Sequence, residues 1–527
     1  MKKLFTFIFL FPFTAFPQKN IQLRSVLPYP VQLSNVWGYA DSLNNEYALV
    51  GLYDGMSIVD VTNPDSVTEL FHIPGPNGIW REIKTWNGHA YATNESGDGL
   101  LIVDLEMLPD TITYSYWTAD TSLGTSHTVF IDENGILYLF GYNDFNRNIP
   151  YDQRGALICD LNQDPENPVI IGRYSASYVH DGYVRGDTLW ASQINAGNFA
   201  VIDVADKANP VVLATQETPN RFTHNCWLAD DGKYLFTTDE RANSFVASFD
   251  VSDLDNITEL DRYQADPGSL LIPHNTYFLN GYLFTAYYKY GMNILDATYP
   301  DNLVEVGYYD TSPFPNSDGF SGCWGVYPFL PSGTILASDM ETGLYVLTAD
   351  LKRACYLVGT VTDETNGNPV NDVTVEIMTT SSIKKTSLLG DYKTGIADPG
   401  RYDIRFYKAG CLPKIFAGVE LEAGMTDTLN VVLTCTTFVS ADAVDADKVM
   451  LAALPSVFEN QTVLRYRLPV KESASLQVFD CSGKMVNQIR LNDSEGEIII
   501  GNSVSKGIYL VRLNSVSFSR VIRVVKQ

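Results

Sequence analysis

Short apolar runs separated by polar turns fill residues 31–350, and one of them returns in nearly the same form throughout. A Gly, or the slot where one would stand, leads into an apolar run usually closed by Asp. The runs are Gly55–Asp60, Gly99–Asp104, Gly155–Asp160, Asn198–Asp203, Phe245–Asp250, Gly291–Asp296 and Gly343–Thr348. Counted from Asp60, the steps are 44, 56, 43, 47, 46 and 52 residues. A near-constant period of that size marks stacked supersecondary units. The fifth unit shows their content: Thr223–Leu228, Lys233–Thr238, Phe245–Asp250 and Ile257–Tyr263 are β-prone runs divided by Asp- and Gly-containing turns. No stretch within a period carries a helical apolar stripe of competing length. The pattern predicts a seven-bladed β-propeller over residues 19–350, each blade a four-stranded antiparallel meander.

Units one to six each hold a fourth run after the Asp phrase, whereas the seventh leaves Leu347 for different sequence almost at once. The missing strand is expected at the other end of the region, at Ile21–Leu27, closing the ring and removing an exposed sheet edge. The Asp that ends each phrase (Asp60, Asp104, Asp160, Asp203, Asp250, Asp296) reads as a turn former, its carboxylate accepting nearby backbone N–H groups.

Beyond the repeats, residues 354–436 carry alternating strands at Val358–Asp363, Pro369–Ile377, Gly400–Phe406 and Thr428–Leu433, which predict a small β-sandwich. Residues 437–454 read as a small-residue linker and 455–527 as a compact C-terminal β-sandwich. The last module has ten Lys/Arg against six Asp/Glu, reversing the charge of a chain whose formal net charge is −26. At the other end, Met1-Lys-Lys3 and the apolar Leu4–Phe16 predict a signal peptide over residues 1–18. No later segment is long and apolar enough for a membrane span. The acidic balance argues against nucleic acid as a partner. Of seven Cys, Cys159 and Cys226 lie in apolar strand patterns and read as buried. Cys355 and Cys435 bracket the sandwich, leaving a clamp to each other or to Cys411 open.

Three resemblances follow. Gly359-Thr-Val-Thr-Asp363, Pro369-Val370 and Gly400-Arg-Tyr-Asp-Ile-Arg405 resemble the carboxypeptidase regulatory-like domains, which implies a transthyretin-like fold and a non-catalytic spacer. Leu476-Gln-Val-Phe-Asp480, Gly483-Lys484, Gly507-Ile-Tyr-Leu-Val511 and Val521-Ile-Arg-Val-Val525 resemble the C-terminal sorting domain of the Bacteroidota type IX secretion system. That likeness implies the secretion machinery as a partner through residues 455–527 and a location on the outer-membrane surface or outside the cell. Trp80–Lys84, Ser126–Ile131, Thr223–Leu228, Pro273–Phe278 and Gly322–Gly333 resemble the secreted choice-of-anchor B proteins with LVIVD repeats, departing from them at Cys226 and Thr237–Asp239. This implies fold and location and names no chemistry.

No H-E-x-x-H, G-x-S-x-G, phosphate loop or C-x-x-C pair occurs. What stands out is the placement of His. His127, His180, His224 and His274 open the first, innermost strand of four consecutive units, with Trp37, Trp80 and Trp324 near that position elsewhere. The end of each second strand lies at the same sheet edge, which brings up Asn94, Glu95, Asn143, Gln193, Asp239, Glu240, Asp339 and Glu341. Imidazoles with carboxylates suit zinc, copper or iron, so His127, His180, His224, His274, Asp181, Asp239 and Glu240 form the candidate metal site at the channel mouth. The channel itself is expected to be water-filled and its lining polar or small. Three functions fit: an exported surface protein binding a glycan or protein, a metal-dependent hydrolase or oxidoreductase at the His arc, and a structural surface-layer protein.

Overall fold

In a computed structural model, the chain is described over residues 18–435, 449–468, 473–480, 483–491, 493–501, 504–515 and 519–527. The signal peptide call falls almost wholly on residues 1–17 and the linker call mostly on 437–448, both outside the described residues. The described chain is all-β apart from one 3-10 turn at Tyr151–Gln153.

Seven antiparallel meanders occupy the repeat region. Their first strands are Leu33–Ala40, Ile83–Trp86, Thr128–Ile131, Asp181–Arg185, Thr223–Leu228, Thr276–Leu279 and Cys323–Tyr327. Neighbouring sheets touch mainly through these strands, and the seventh sheet touches the first. The recurrent phrase forms the third strand of every meander, buried almost throughout because sheets cover both of its faces. All six terminal Asp residues accept the backbone N–H two residues on, at 2.8–3.0 Å, as the turn reading requires.

Ile21–Leu27 pairs with Gly343–Ala349 and supplies the outer strand of the seventh sheet, as expected from the absent fourth run. Arg24 and Ser25 of this strand bond Asp65 and the Pro64 carbonyl of the first sheet. Gln18–Lys19 adds a fifth strand to the sixth sheet, so Gln18, read as the last leader residue, is part of a sheet.

Three residues past the His offset, the first strands carry Trp37, Lys84, Phe130, Tyr183, Trp227, Tyr277 and Tyr327. Their rings meet on the axis: Trp37 lies 4.7 Å from Tyr327 and 6.1 Å from Tyr277, and Trp227 4.9 Å from Tyr277 and 4.7 Å from Tyr183. Phe329 packs on Trp227 at 5.8 Å. Lys84 fills the second sheet's place, its ammonium 4.0 Å above the Trp37 ring. The bore is therefore closed at this level by a seven-membered aromatic and cationic layer rather than filled with water.

Residues 355–435 form two four-stranded sheets, one built around Cys355–Asp363 and the other around Thr374–Ile377 and Gly400–Tyr407. Cys411 pairs with Cys435, which resolves the open cysteine question; Cys355 is buried. The bond closes a loop with a sequence separation of 24, so replacing both with Ser should cost this domain about 3 kcal/mol, measured by denaturant unfolding. In the C-terminal module a three-stranded sheet and a five-stranded sheet share a core that includes Leu464, Leu476, Val511 and Leu513. Met450–Leu454, assigned to the linker from its small residues, is instead a strand paired with Thr462–Arg467.

Candidate functional site

The four His side chains form a continuous arc. Ring centroids are 4.0 Å apart for His127 and His180, 4.5 Å for His180 and His224, and 4.4 Å for His224 and His274. Each stands at the start of its sheet's first strand, so consecutive sheets deliver neighbouring rings. His224 and His274 are buried, while His127 and His180 keep part of their surface open at the mouth.

Hydrogen bonds fix how the arc presents its nitrogens. His127 Nδ1 lies 2.6 Å from Glu95 Oε1, and His274 Nδ1 lies 2.5 Å from the Trp324 carbonyl. Both partners only accept, so Nδ1 carries the proton and Nε2 the lone pair in each neutral ring. This is how metal-ligating imidazoles are commonly oriented. His127 Nε2 points at His180 Nε2, 3.0 Å away. His274 Nε2 and His224 Nε2 face the two oxygens of Glu240 at 3.8 and 3.6 Å. His224 Nδ1 is buried and makes no hydrogen bond of normal geometry. Glu240 is held by the Tyr288 hydroxyl, which donates to it at 2.5 Å.

Burial sets the charges. It lowers His180 and His224 well below the ordinary imidazole value, helped by the other His of the arc, and takes His274 down to about 3. Burial also pushes Glu240 up to about 7. With neutral rings, the contacts to Glu240 are not ion pairs. The arc thus sets three neutral rings beside one carboxyl, and within it the His127 Nε2 lone pair accepts from His180 Nε2–H at 3.0 Å. His180, His224 and Glu240 have donor atoms all within 4.8 Å of one another.

Two residues expected at this site lie elsewhere. Asp181 accepts from Asn225 Nδ2 at 2.7 Å and from the Gly182 N–H at 2.8 Å, one layer below the arc. In that layer Asn35 and Lys84 both bond Glu82. Asp239 accepts from the Thr218 hydroxyl and from the N–H groups of Asn220 and Phe222, and organises its own loop. Conversely, Glu95 and Tyr288 contact the arc; Glu95 sat on the expected rim, whereas Tyr288 had no signal beyond its place after a second strand. Trp324 occupies the His offset in the seventh sheet, and Trp37 lies in the aromatic layer.

Comparison with known proteins bears on the outer domains. Residues 357–434 match the carboxypeptidase regulatory-like domain family, and residues 459–527 match the secretion system C-terminal sorting domain. No curated protein matches the chain in sequence. Among solved structures, the β-propeller domain of Cps50 (Swd1) from Myceliophteria thermophila aligns with a TM-score of 0.44 and 12% identity, covering 63% of this chain and 100% of that one. The sorting domain belongs to the type IX system and marks the chain for export to the cell surface or the extracellular space, with the secretion machinery as a partner. Among the described residues no helix is long and apolar enough to cross a membrane.

Proposed function

We propose that this is an exported surface protein of the choice-of-anchor B type, its seven sheets the blades of one closed propeller, and that it binds its extracellular ligand through a transition-metal ion at the His arc. His180, His224 and Glu240 hold the ion, with His127 and His274 beside it. The observation that carries this reading is the convergence of His180, His224 and Glu240, whose donor atoms all lie within 4.8 Å of one another. A tetrahedral ion with bonds of about 2.0–2.1 Å sets its ligand atoms about 3.3 Å apart, close to the 3.6 Å between His224 Nε2 and Glu240 Oε2. Three protein donors leave a coordination position open at the mouth, where an oxygen of a glycan or protein can enter.

Metal analysis of the purified chain, and calorimetric titration of the chelator-treated chain with zinc, test this. His180→Asn and Glu240→Gln are expected to lose the arc's ion with unchanged circular dichroism. Since burial keeps three of the rings neutral below their usual range, the ion should stay bound at pH 5.5, where an exposed His site would release it. A chain that takes up no zinc, copper or iron(II), or whose uptake ignores both substitutions, would refute the proposal. Hydrolysis at the same ion is the second reading, favoured by the coordination position that three protein donors leave open for a water. It requires turnover of a hydrolysable substrate that disappears with the metal.

A further inference from the structure

The signature that marks the arc, an imidazole lone pair turned toward carboxylates, recurs at the opposite edge of the second sheet. His89 opens that sheet's second strand directly after the Asn87-Gly88 turn, where both residues have positive φ, 44° and 74°. The turn aims the Asn87 carbonyl at His89 Nδ1, 2.9 Å away. A carbonyl only accepts, so Nδ1 bears the proton and Nε2 of the neutral ring bears the lone pair. The residue is 6% exposed. Its Nε2 lies 4.0 Å from Glu166 Oε1, and donor atoms of His89, Asp104 and Glu166 are all within 4.8 Å of one another. Two carboxylates thus converge on a mostly buried imidazole nitrogen, an arrangement that a divalent cation would satisfy.

Each donor sits on a fixed element. His89 and Asp104 are direct cross-strand partners, so their side chains leave the sheet on the same face. One Asp104 oxygen receives the Glu106 N–H at 2.9 Å, and the other is left for a ligand. Glu166 comes from a loop of the third sheet. Asp164 orders that loop by accepting the Glu166 N–H, and the Tyr91 hydroxyl of the second sheet bonds the Pro165 carbonyl at 2.9 Å. The repeat adds an independent argument. The residue paired with the terminal Asp is Tyr47, Ile136, Thr188, Tyr234 and Tyr282 in the other sheets that end in Asp. Only the second sheet departs from that set to place a metal-ligating side chain there.

We infer that His89, Asp104 and Glu166 form a second metal site, for a divalent transition ion such as zinc or cobalt, that fastens the loop of the third sheet to the second. One nitrogen and two carboxylates are a donor set for these borderline ions. A rotation of Glu166, whose side chain is half exposed, closes the 4.0 Å between it and His89 to the ~3.3 Å expected between donors of one tetrahedral ion.

The full chain, stripped with a chelator, is titrated with zinc by calorimetry, and its unfolding midpoint is recorded with and without zinc. The unsubstituted protein should bind two equivalents, one at the arc and one here. Glu166→Gln and His89→Gln should each bind one fewer and show a smaller rise in midpoint on adding zinc. Glu166 is exposed enough that its variant folds. If the arc binds nothing, the unsubstituted protein takes one equivalent and the two variants none, which still supports the second site. Equal stoichiometry and affinity in the unsubstituted chain and both variants would overturn it.

Discussion

Deleting Ile21–Leu27 is expected to lower the unfolding midpoint of the repeat domain by about 10 °C. The strand makes a six-pair ladder with Gly343–Ala349, buries Ile21 to 1% exposure and half-buries Val26 and Leu27. Burial of such side chains is worth roughly 1.5–3 kcal/mol each when complete, so the loss amounts to about 4–6 kcal/mol. At this domain size each kcal/mol moves the midpoint by roughly 2 °C. The deletion also removes the bonds from Arg24 and Ser25 to the first sheet and bares Gly343–Ala349 as an open edge, which should promote aggregation. Arg24→Ala alone is the control. Its pairing with Asp65 is solvent-exposed, so that variant should melt almost where the parent does. Scanning calorimetry decides the matter, and an unchanged midpoint in the deletion would show that the N-terminal strand closes nothing.

The sheet count, the borrowed strand and the arc were legible because all three follow from position along a repeat. A period of 43–56 residues with four apolar runs leaves few alternatives, and equivalent offsets in consecutive units must become angular neighbours. What position along the chain does not give is direction. Successive side chains on a strand leave opposite faces, so one residue of offset decides between the arc and somewhere else. Asp181 follows His180 and turns into the layer below, while Asp239 precedes Glu240 and turns into its own loop. The two expectations failed for this single reason. The aromatic layer was present in the sequence at a constant three-residue offset, yet the sequence carries no diameter for the bore, and only a narrow bore lets Trp37, Trp227 and Tyr277 meet. Cys411 and Cys435 could not be matched in advance because spacing alone does not choose among three cysteines. His89 lies outside the offset that the other four share; its signal is a break in the residues facing the terminal Asp, visible only once strand pairing is known.

The largest single-residue effect is expected at Lys84. Lys84→Met should destabilise the repeat domain by about 3–5 kcal/mol at pH 7.5, although Met is nearly as long and can still pack on Trp37. Lys84 and Glu82 are each 6% exposed, and their ion pair lies in the layer beneath the arc, where Asn35 also bonds Glu82. Asp181 is near enough that the ammonium favours its charge and Glu82 opposes it. Removing the ammonium leaves two carboxylates in one enclosed layer with only amide and backbone donors. Burial already raises Glu82 above the ordinary carboxyl value with Lys84 present, and losing that neighbour raises it further. The sign of the pH dependence follows. A buried carboxyl with a raised folded-state value binds its proton more tightly folded than unfolded, so stability falls as pH rises from the unfolded value near 4.3 through the folded one. The deficit of Lys84→Met should therefore shrink at pH 5 relative to pH 7.5 in urea unfolding. Adding Glu82→Gln should recover much of it at pH 7.5, since the pair is then gone from both sides. A deficit that is the same at both pH values and untouched by Glu82→Gln would mean that Lys84 acts through its packing on Trp37 and not through its charge.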